Sequence, residues 1–418
     1  MGNEMLNALN SRQIRQFNCA KVFRVVQSHG AISRADLARF TRLSPATVTE
    51  TVRILLKAGY LTEAELGEAS GGRPPIMIRI NNQRNYIIGI DLDVRKMTVL
   101  LCNLGLETIS AKTVVLDTIN YQEVLATIAA QVECLIREHA VNRRKILGLG
   151  LGVPGYVNFT QGLVRFAPNL RWQDEPIKED LESMLKLEVL VENDAKLSAF
   201  GEKWFGAGQE ANEMAYVSVK AGLGCGLIFD GEIYRGIDGS AGELGHMTID
   251  PAGPECTCGN YGCWETFADN SAILSRALRA TAATPDSMLR SISEENGRQI
   301  TIDDLTEAFH MQDPVAVKVV RESAWYLGIG IVNIVNAFNP ELVIIGGEII
   351  KAGPQFFEAV KAVVQKRALR VPRERAKIVP SVLGEKACAI GATMLVIENW
   401  LSQPNAFRIG KQAVSEWI

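Results

Sequence analysis

The sequence of 418 residues lacks an apolar run long enough to span a membrane. Its first ten residues, MGNEMLNALN, lack the charged and then apolar pattern of a signal sequence. Cysteine is also scarce, and eight residues in a chain of this length exclude a small disulfide-stapled scaffold. We therefore expect a cytoplasmic protein of two or three domains, with reduced thiols and no membrane insertion.

Three of the cysteines are clustered with a histidine. His246, Cys256, Cys258 and Cys263 lie within 18 residues. One imidazole and three thiolates at this spacing are typical of a closed tetrahedral zinc site. We expect a structural Zn²⁺, because four protein ligands leave no open coordination position. The carboxylates Glu243 and Glu265 flank the cluster, so the metal would fix them beside a binding pocket.

Charge is distributed unevenly along the chain. Residues 1–85 carry 12 Lys or Arg and 6 Asp or Glu, a net charge of +6. The whole chain has a net charge of −3, so the remaining residues carry −9. A small basic head on a larger acidic body favours a nucleic-acid contact confined to the head.

The head has the pattern of three short helices followed by a β-hairpin. A first helix is predicted over 12–28 and a second from Ser33, and a third runs from Ser44 to Gly59. The apolar faces of the first two helices are predicted to be Ile14, Phe17, Val22, Val25 and Val26, and then Leu37, Ala38 and Phe40. Residues 60–63 and 76–80 predict two strands joined by a Gly/Pro-rich tip at 70–75.

This order of elements is typical of a winged helix-turn-helix with 44–59 as the recognition helix. The residues expected to contact DNA are Ser44, Thr47, Thr49 and Arg53 on that helix and Arg73 in the wing. The alternative interpretation is a small helical dimerisation domain that does not contact DNA.

From Tyr86 onward, apolar strands alternate with turns and helices. Strands are predicted at 86–93, 97–104, 146–155, 187–194, 214–231 and 341–350, and helices at 124–140, 195–205, 270–280, 315–338, 355–368 and 386–401. A similar pattern near 86 and near 215 indicates two related α/β halves. The glycine series at 222–226 lies in a hairpin turn, which makes it a poor dinucleotide fingerprint.

Polar residues stand at the ends of two predicted strands. Asp91 and Asp93 end the first strand of the body, and Asn193 and Asp194 end another. Carboxylates at the carboxyl ends of sheet strands usually line a ligand crevice. We therefore expect these side chains to lie in one cleft.

Several of these segments together resemble the ROK family, the bacterial group of sugar kinases, open reading frames and sugar-responsive repressors. GELGHMTIDPAGPECTCGNYGCWE at 242–265 is similar to its zinc-binding signature, and VENDAKLSAFGE at 191–202 to its catalytic-Asp segment. APNLRW at 167–172 is similar to its sugar-contacting loop, and NAFNPELVIIGG at 336–347 to its adenosine-side segment. The resemblance extends from about residue 12 to 400, and a winged helix ahead of such a body is the arrangement of the repressor branch, the xylose repressors and their relatives.

The resemblance implies an α/β, actin-like ATPase fold with a sugar held between two lobes. The expected domains are 1–82 for the winged helix-turn-helix, 83–195 for the first lobe and 196–418 for the second, with a C-terminal helix that returns to the first. Carried over by matching position, the sugar contacts are Asn169, Asn193, Asp194, Glu243, His246 and Glu265. His246 serves both sites if one ring nitrogen meets zinc and the other meets the sugar.

Asp194 matches the catalytic base of the family's kinases, but both phosphate loops depart from the kinase pattern. Active members resemble Asp-x-Gly-Gly-Thr-Lys in the first loop, where residues 91–96 of this chain read DLDVRK. They resemble Gly-Thr-Gly-x-Gly-Gly-Gly in the second, where residues 220–226 read KAGLGCG. The close backbone approach of the glycines and the hydroxyl are lost. We expect no kinase activity and regard Asp194 as a vestigial base.

The leading hypothesis is a sugar-responsive, DNA-binding transcriptional repressor of carbohydrate-utilisation genes. We expect a homodimer or higher homo-oligomer on operator DNA, because helix-turn-helix dimers match palindromic operators. The expected dimer contacts lie in the body and include the C-terminal helix around 394–400. The alternatives are an ATP-dependent sugar kinase with a DNA-binding head, and a repressor controlled by a sugar-transport protein.

Overall fold

The computed structural model describes residues 11–66, 74–294, 298–404 and 406–407. The described part consists of a small head and a body built around two five-stranded sheets. Among the described residues, no helix combines the length and the apolar character needed to cross a membrane.

The head contains three helices and a three-stranded sheet of order β1-β3-β2. Its elements are α1 (Ser11–His29), β1 (Ile32–Ser33), α2 (Arg34–Thr41), α3 (Pro45–Lys57), β2 (Leu61–Leu66) and β3 (Ile76–Ile80). Ser33 and Ser44 cap α2 and α3, since each hydroxyl accepts a hydrogen bond from a backbone N–H three residues later at 3.1 Å. These elements confirm the predicted winged helix-turn-helix.

The inner faces of the first two helices differ in part from the prediction. Ile14 and Phe17 of α1 are exposed, and so is Phe40 of α2, which packs on His29 with ring centroids 4.4 Å apart. Phe23, which the periodicity did not select, is fully buried. Its ring packs on the distant residues of a C-terminal segment, a contact that local spacing does not reveal.

The first sheet of the body has the order β6-β5-β4-β7-β11. Its strands are β4 (Tyr86–Leu92), β5 (Lys96–Asn103), β6 (Thr108–Val115), β7 (Ile146–Val153) and β11 (Val189–Asn193). A small antiparallel sheet follows β7, with strands β8 (Tyr156–Asn158), β9 (Leu163–Ala167) and β10 (Trp172–Glu175). Helices α4 (Tyr121–Glu138) and α5 (Ile177–Leu185) belong to this part of the chain.

The second sheet has the order β14-β13-β12-β15-β16. Its strands are β12 (Met214–Val219), β13 (Leu223–Phe229), β14 (Glu232–Ile233), β15 (Leu342–Gly347) and β16 (Lys377–Pro380). The remaining helices are α6 (Asp194–Phe205), α7 (Glu265–Ala268), α8 (Asn270–Ala282), α9 (Met288–Glu294), α10 (Ile302–His310), α11 (Pro314–Phe338), α12 (Pro354–Arg367), α13 (Arg370–Arg375) and α14 (Ala387–Ser402).

The two large sheets share one topology. In each sheet, the first three strands in sequence pair antiparallel, and the last two extend the sheet in parallel from the first strand. The predicted relation between two α/β halves is therefore confirmed, as is the two-lobed architecture that the resemblance implied. The limits between domains at 82 and 195 stay a prediction.

Helix α14 packs on β4 and β7 of the first sheet and on α6. Glycines permit this close approach: a Cβ at Gly150 would lie 2.1 Å from the carbonyl oxygen of Ala392, and one at Gly391 would lie 1.8 Å from that of Leu197. Met394 and Trp400 are buried within the chain. Contact of a second copy with the rest of this helix, around 394–400, stays a prediction.

The head is joined to α14 by an aromatic cluster of Phe23, Tyr60, Trp400 and Phe407. The Trp400 ring centroid lies 5.6, 5.1 and 5.1 Å from those of Phe23, Tyr60 and Phe407. The hydroxyl of Tyr60 donates to the carbonyl oxygen of Ala406 at 2.9 Å. Beside the cluster, the Arg24 guanidinium binds both carboxylate oxygens of Glu398. This contact fixes the head against a helix of the body.

Candidate ligand cleft and metal centre

Strand register brings the polar strand ends to one edge of the first sheet. Asp91 pairs with Gly152 of β7, which pairs in turn with Glu192 of β11. Asn193 ends β11, and Asp194 begins α6 directly afterwards. The carboxylates predicted to line a crevice are thus placed side by side, as expected for the carboxyl ends of parallel strands.

All six residues predicted as sugar contacts line a single pocket of about 90 Å³. They come from four segments of the chain: Asn169, Asn193 with Asp194, Glu243 with His246, and Glu265. Residues 220–224 of the turn between β12 and β13 close the pocket from the second sheet. Carboxylate, amide and imidazole groups around a small pocket are suited to a ligand with several hydroxyl groups.

Asn193 and Glu265, two of the six, also hold neighbouring backbone segments in place. The side-chain Oδ1 of Asn193 accepts from the backbone N–H of Lys196 at 3.1 Å. Its side-chain Nδ2 donates to the backbone carbonyl oxygen of Gly155 at 3.0 Å. Asn193 is therefore the N-cap of α6 and positions Asp194. The Glu265 carboxylate accepts from the backbone N–H of Leu223 at 3.0 Å, which fixes the turn after β12.

Two carboxyl groups of the pocket have raised pKa values. The pKa of Asp194 is raised to about 6, because burial and the charges of Asp91 and Asp93 together outweigh the lowering effect of Lys220. Desolvation also raises the pKa of Glu243, and the charges of Lys196 and His246 act in the opposite direction. Both carboxyl groups are therefore shielded from bulk water and interact with a few nearby charged groups.

The loop that carries Glu243 is anchored by two cations that the sequence prediction missed. Arg235 lies 2.6 Å from the fully buried carboxylate of Glu192 and stacks over Phe159. The ammonium of Lys196, which is 1% exposed, donates to the carbonyl oxygen of Gly239. The available signal for Lys196 was a lysine flanked by Ala195 and Leu197 on the helix that begins at Asp194. These contacts position Glu243 over the pocket.

The predicted metal ligands meet at one point. The ligand atoms of His246, Cys256, Cys258 and Cys263 all lie within 4.8 Å of one another. The Cys258 and Cys263 sulfurs are 3.7 Å apart, and the Cys256 sulfur is 3.5 Å from His246 Nδ1. With Zn–S bonds of about 2.3 Å, a tetrahedron has edges of about 3.8 Å, so this donor set fits Zn²⁺. Since Nδ1 is the nitrogen beside the sulfurs, Nε2 is left for the pocket.

A larger cavity of about 980 Å³ adjoins the small pocket and shares five lining residues with it, Asp93, Val94, Asn169, Lys220 and Ala221. Its lining includes the turn after β4, where phosphate would have to approach backbone N–H groups. There the N–H of Val94 donates to the Asp93 carboxylate at 2.6 Å, and the N–H of Asp93 donates to the carbonyl oxygen of Lys96 at 2.9 Å. Two backbone donors of this turn, those of Asp93 and Val94, are therefore already engaged.

Four of the five predicted DNA contacts lie on or at the start of α3. Ser44 and Thr47 share a hydrogen bond of 2.8 Å, and the Thr49 hydroxyl donates to the carbonyl oxygen of Pro45 at 2.8 Å. Arg53 is exposed and forms a two-pronged ion pair with Glu50 at 2.8 and 2.7 Å. Arg73 lies outside the described residues. The contact of these side chains with DNA stays a prediction.

The comparisons with known proteins agree with this architecture. A family model described as ROK family matches residues 87–399. The chain belongs to the ROK family. A model described as winged helix-turn-helix DNA-binding matches residues 21–62 of the head, so this ROK protein combines the family's body with a DNA-binding fold.

Relatives and solved structures of ROK proteins cover three quarters or more of the chain. The xylose repressor of Caldicellulosiruptor bescii is 34% identical over 97% of this chain and 99% of its own. The structure of a ROK family transcriptional regulator, homologous to the Escherichia coli MLC protein, is 31% identical with a TM-score of 0.79 and covers 94% of this chain and 98% of its own. A Streptomyces griseus ROK glucokinase, solved with glucose and AMPPNP, is 30% identical with a TM-score of 0.69 and covers 75% of this chain and all of its own.

Gly222→Ala is expected to block the small pocket. A Cβ at Gly222 would lie 2.9 Å from the Glu265 carboxylate and 3.3 Å from the Asn169 amide, so both side chains must move. We expect at least about a tenfold loss of ligand affinity, which corresponds to roughly 1.4 kcal/mol. Calorimetric titration checks the affinity, and an unchanged melting temperature shows that the fold is intact. Unchanged affinity would remove Asn169 and Glu265 from the set of ligand contacts.

Proposed function

We propose that this ROK protein is a sugar-responsive transcriptional repressor of carbohydrate-utilisation genes. The observation that carries the proposal is the single pocket lined by all six sugar-contact positions, in a chain that also carries a winged helix-turn-helix head. The names of full-length relatives as xylose repressors support it. Such a protein works in the cytoplasm, where its operator DNA lies.

The chemistry of the pocket favours a monosaccharide as the effector. Carboxylates and amides bind vicinal hydroxyl groups by paired hydrogen bonds, and a site built for a hydroxyl rejects a sugar that lacks it. We assign Asn169, Asn193, Asp194, Glu243, His246 and Glu265 to the sugar. Xylose and glucose are the first candidates, since relatives carry the names xylose repressor and glucokinase.

The same geometry argues against phosphoryl transfer. A kinase must offer phosphate oxygens backbone N–H groups and a compensating positive charge. The N–H of Val94 is instead engaged by the carboxylate of Asp93, which would also repel phosphate. Ala221 offers no hydroxyl in the second loop. We therefore assign Asp194 to sugar binding and propose that the protein has no kinase activity.

We assign a structural Zn²⁺ to His246, Cys256, Cys258 and Cys263. When bound, the ion would supply no reaction chemistry but would tie the turn after Glu243 to the segment before Glu265. A backbone hydrogen bond also joins these two segments, since the N–H of Trp264 donates to the carbonyl oxygen of Met247 at 2.8 Å. This bond places His246 and Cys263 on adjacent strands of chain, so the metal would reinforce an existing contact.

We further propose that the protein binds operator DNA as a homodimer or higher homo-oligomer, with Ser44, Thr47, Thr49 and Arg53 of the head facing the groove and Arg73 reaching from the wing. Two-fold protein symmetry matches two half-sites of a palindrome. Binding of a sugar shifts DNA affinity only if the sugar prefers one arrangement of the lobes.

A thermal-shift screen of the purified chain against xylose, glucose and N-acetyl sugars, each with and without Mg-ATP, tests the function. A native-state ligand raises the melting temperature, by an amount that grows with its concentration relative to Kd. We expect one sugar to stabilise the protein without any effect of ATP. DNA selected from a random pool by the full chain should then change its affinity when that sugar is added.

The alternatives predict other results in the same screen. Stabilisation by ATP together with turnover in a coupled assay would identify a sugar kinase. Stabilisation by no sugar would contradict the sugar-responsive repressor and direct attention to control by a sugar-transport protein. Failure to select any DNA sequence would contradict the repressor function of the head.

A further inference from the structure

Lys220 lies between two carboxylates from different parts of the body. Its ammonium is 3.1 Å from the carboxylate of Asp91 in β4 and 3.6 Å from that of Asp194 at the start of α6. Lys220 itself directly follows β12 of the second sheet. A single side chain therefore joins the edges of both large sheets across the cleft.

The position of Lys220 also joins the two cavities. It lines the small pocket and the larger cavity, and it is the only lysine or arginine among the described residues around the small pocket. Any ligand in the small pocket that reaches Asp194 lies beside this ammonium. Lys220 thus contributes to the ligand site although the sequence comparison of the phosphate loops gave it no role.

The local charge balance requires a cation at this place. Asp91 and Asp194 are 7% and 8% exposed, and one oxygen of Asp91 is buried without a hydrogen-bond partner in the structure. Two ionised carboxylates without a cation would be strongly disfavoured there. Burial alone would lower the pKa of Lys220, but Asp91 and Asp194 raise it well above its usual value. The lysine is therefore charged.

We propose that Lys220 is a built-in counter-ion of the ligand pocket, which keeps Asp194 ionised to accept a sugar hydroxyl and ties it to Asp91 on the first sheet. Lys220 is a positioning residue, because it acts through Asp194. A phosphoryl-transfer site obtains much of its positive charge from Mg²⁺ bound with the nucleotide, besides basic side chains. The Lys220 ammonium is part of the chain, so the pocket needs neither Mg²⁺ nor a nucleotide to balance the charge of Asp194. The inference rests on the proposed sugar-responsive function.

The other titratable groups around Asp194 come from the first sheet, from α14 and from the second lobe. Asp91 and Asp93 face it from the first sheet, and the Cys388 thiol lies beside the same charges at the start of α14. Glu243, His246 and Glu265 line the pocket from the second lobe. Lys220 lowers the pKa of Asp194, and the two other aspartates raise it. Removal of Lys220 and removal of Asp91 must therefore move this pKa in opposite directions.

Two variants test the counter-ion, Lys220→Met and Asp91→Asn. The pKa of Asp194 is measured by NMR of the ligand-free protein labelled with ¹³C at the aspartate carboxyl, where the signal missing from Asp194→Asn gives the assignment. We expect Lys220→Met to raise this pKa by about one to three pH units, and Asp91→Asn to lower it. The pH below which affinity for the sugar found in the screen falls should move in the same directions.

A merely structural lysine would behave differently. It would lower sugar affinity by the same factor at every pH and leave the pKa of Asp194 unchanged, a result that would overturn the proposal. If Lys220→Met does not fold, Lys220→Arg decides, since an arginine that keeps the positive charge should keep the pKa of Asp194 near its parent value, and a large rise contradicts the counter-ion. If the parent protein binds no sugar, the proposed function fails, while the NMR titration still decides the role of Lys220.

Discussion

Cys258→Ser is expected to lower both the melting temperature and the affinity for the effector sugar. The Cys258 side chain is exposed, so serine in its place opens no cavity in the core. Its sulfur lies 3.7 Å from that of Cys263 in the predicted zinc site, and loss of one ligand weakens metal binding. Because His246 and Glu265 each lie in or beside this site and line the pocket, we expect at least about a tenfold loss of affinity, or roughly 1.4 kcal/mol.

The control for this experiment is Cys134→Ser. Cys134 is half-buried on α4 of the first lobe, with its thiol 3.2 Å from Glu138, and takes no part in the metal cluster. Calorimetry, thermal melting and metal analysis of the two variants separate loss of a metal ligand from loss of a thiol. Parent protein treated with a chelator should behave like Cys258→Ser. Full stability and full sugar affinity of that variant after chelation would make the metal assignment wrong.

The sequence predicted those features that are local in the chain. The metal cluster is one example, since its four ligands lie within 18 residues and meet within 4.8 Å. The long helices are another: 315–338 was predicted and Pro314–Phe338 is observed. Regular apolar spacing determines such elements without reference to the rest of the fold. The six pocket residues depended on the resemblance to the ROK family, because no spacing rule connects Asn169 with Glu265.

The features that were missed depend on contacts between distant segments. The ion pair of Lys220 with Asp91 joins residues 129 positions apart, and that of Arg235 with Glu192 joins residues 43 positions apart. Phe23 is buried against Trp400, so the apolar spacing within α1 alone could not predict the inner face of that helix. The same contact buries Trp400 within the chain, although it belongs to the part of α14 that was predicted to contact a second copy. Tertiary packing decides these positions.

Trp400→Ala is expected to separate sugar binding from the DNA response. Trp400 is 8% exposed and its ring contacts all three other members of the aromatic cluster. Truncation of a buried tryptophan costs about 3–5 kcal/mol, here at the contact between head and body. Since no residue of the cluster lines the small pocket, we expect unchanged sugar affinity. Once the head is no longer fixed on α14, sugar binding in the body should no longer change the DNA affinity of the head.

The argument for this coupling is the continuity of packed elements. Asp194 begins α6, and α6 packs on α14 through the close contact of Gly391 with Leu197. Trp400 and Glu398 at the far end of α14 bind the head. We therefore expect a rearrangement at the pocket to reach the winged helix through these two packed helices. Allosteric coupling of this kind is typically about 1–3 kcal/mol, or roughly 5- to 150-fold in affinity.

Fluorescence anisotropy of operator DNA with and without the sugar measures the coupling. In the parent protein, the sugar should change DNA affinity by at least about fivefold, and in Trp400→Ala by less than about twofold. Trp325→Ala is the matched control, because Trp325 is 43% exposed on α11 and its ring packs on Tyr326 and Arg367 of the body. A parent-like response of Trp400→Ala to the sugar would show that the signal reaches the head by another route, since the aromatic cluster would then serve only to hold it.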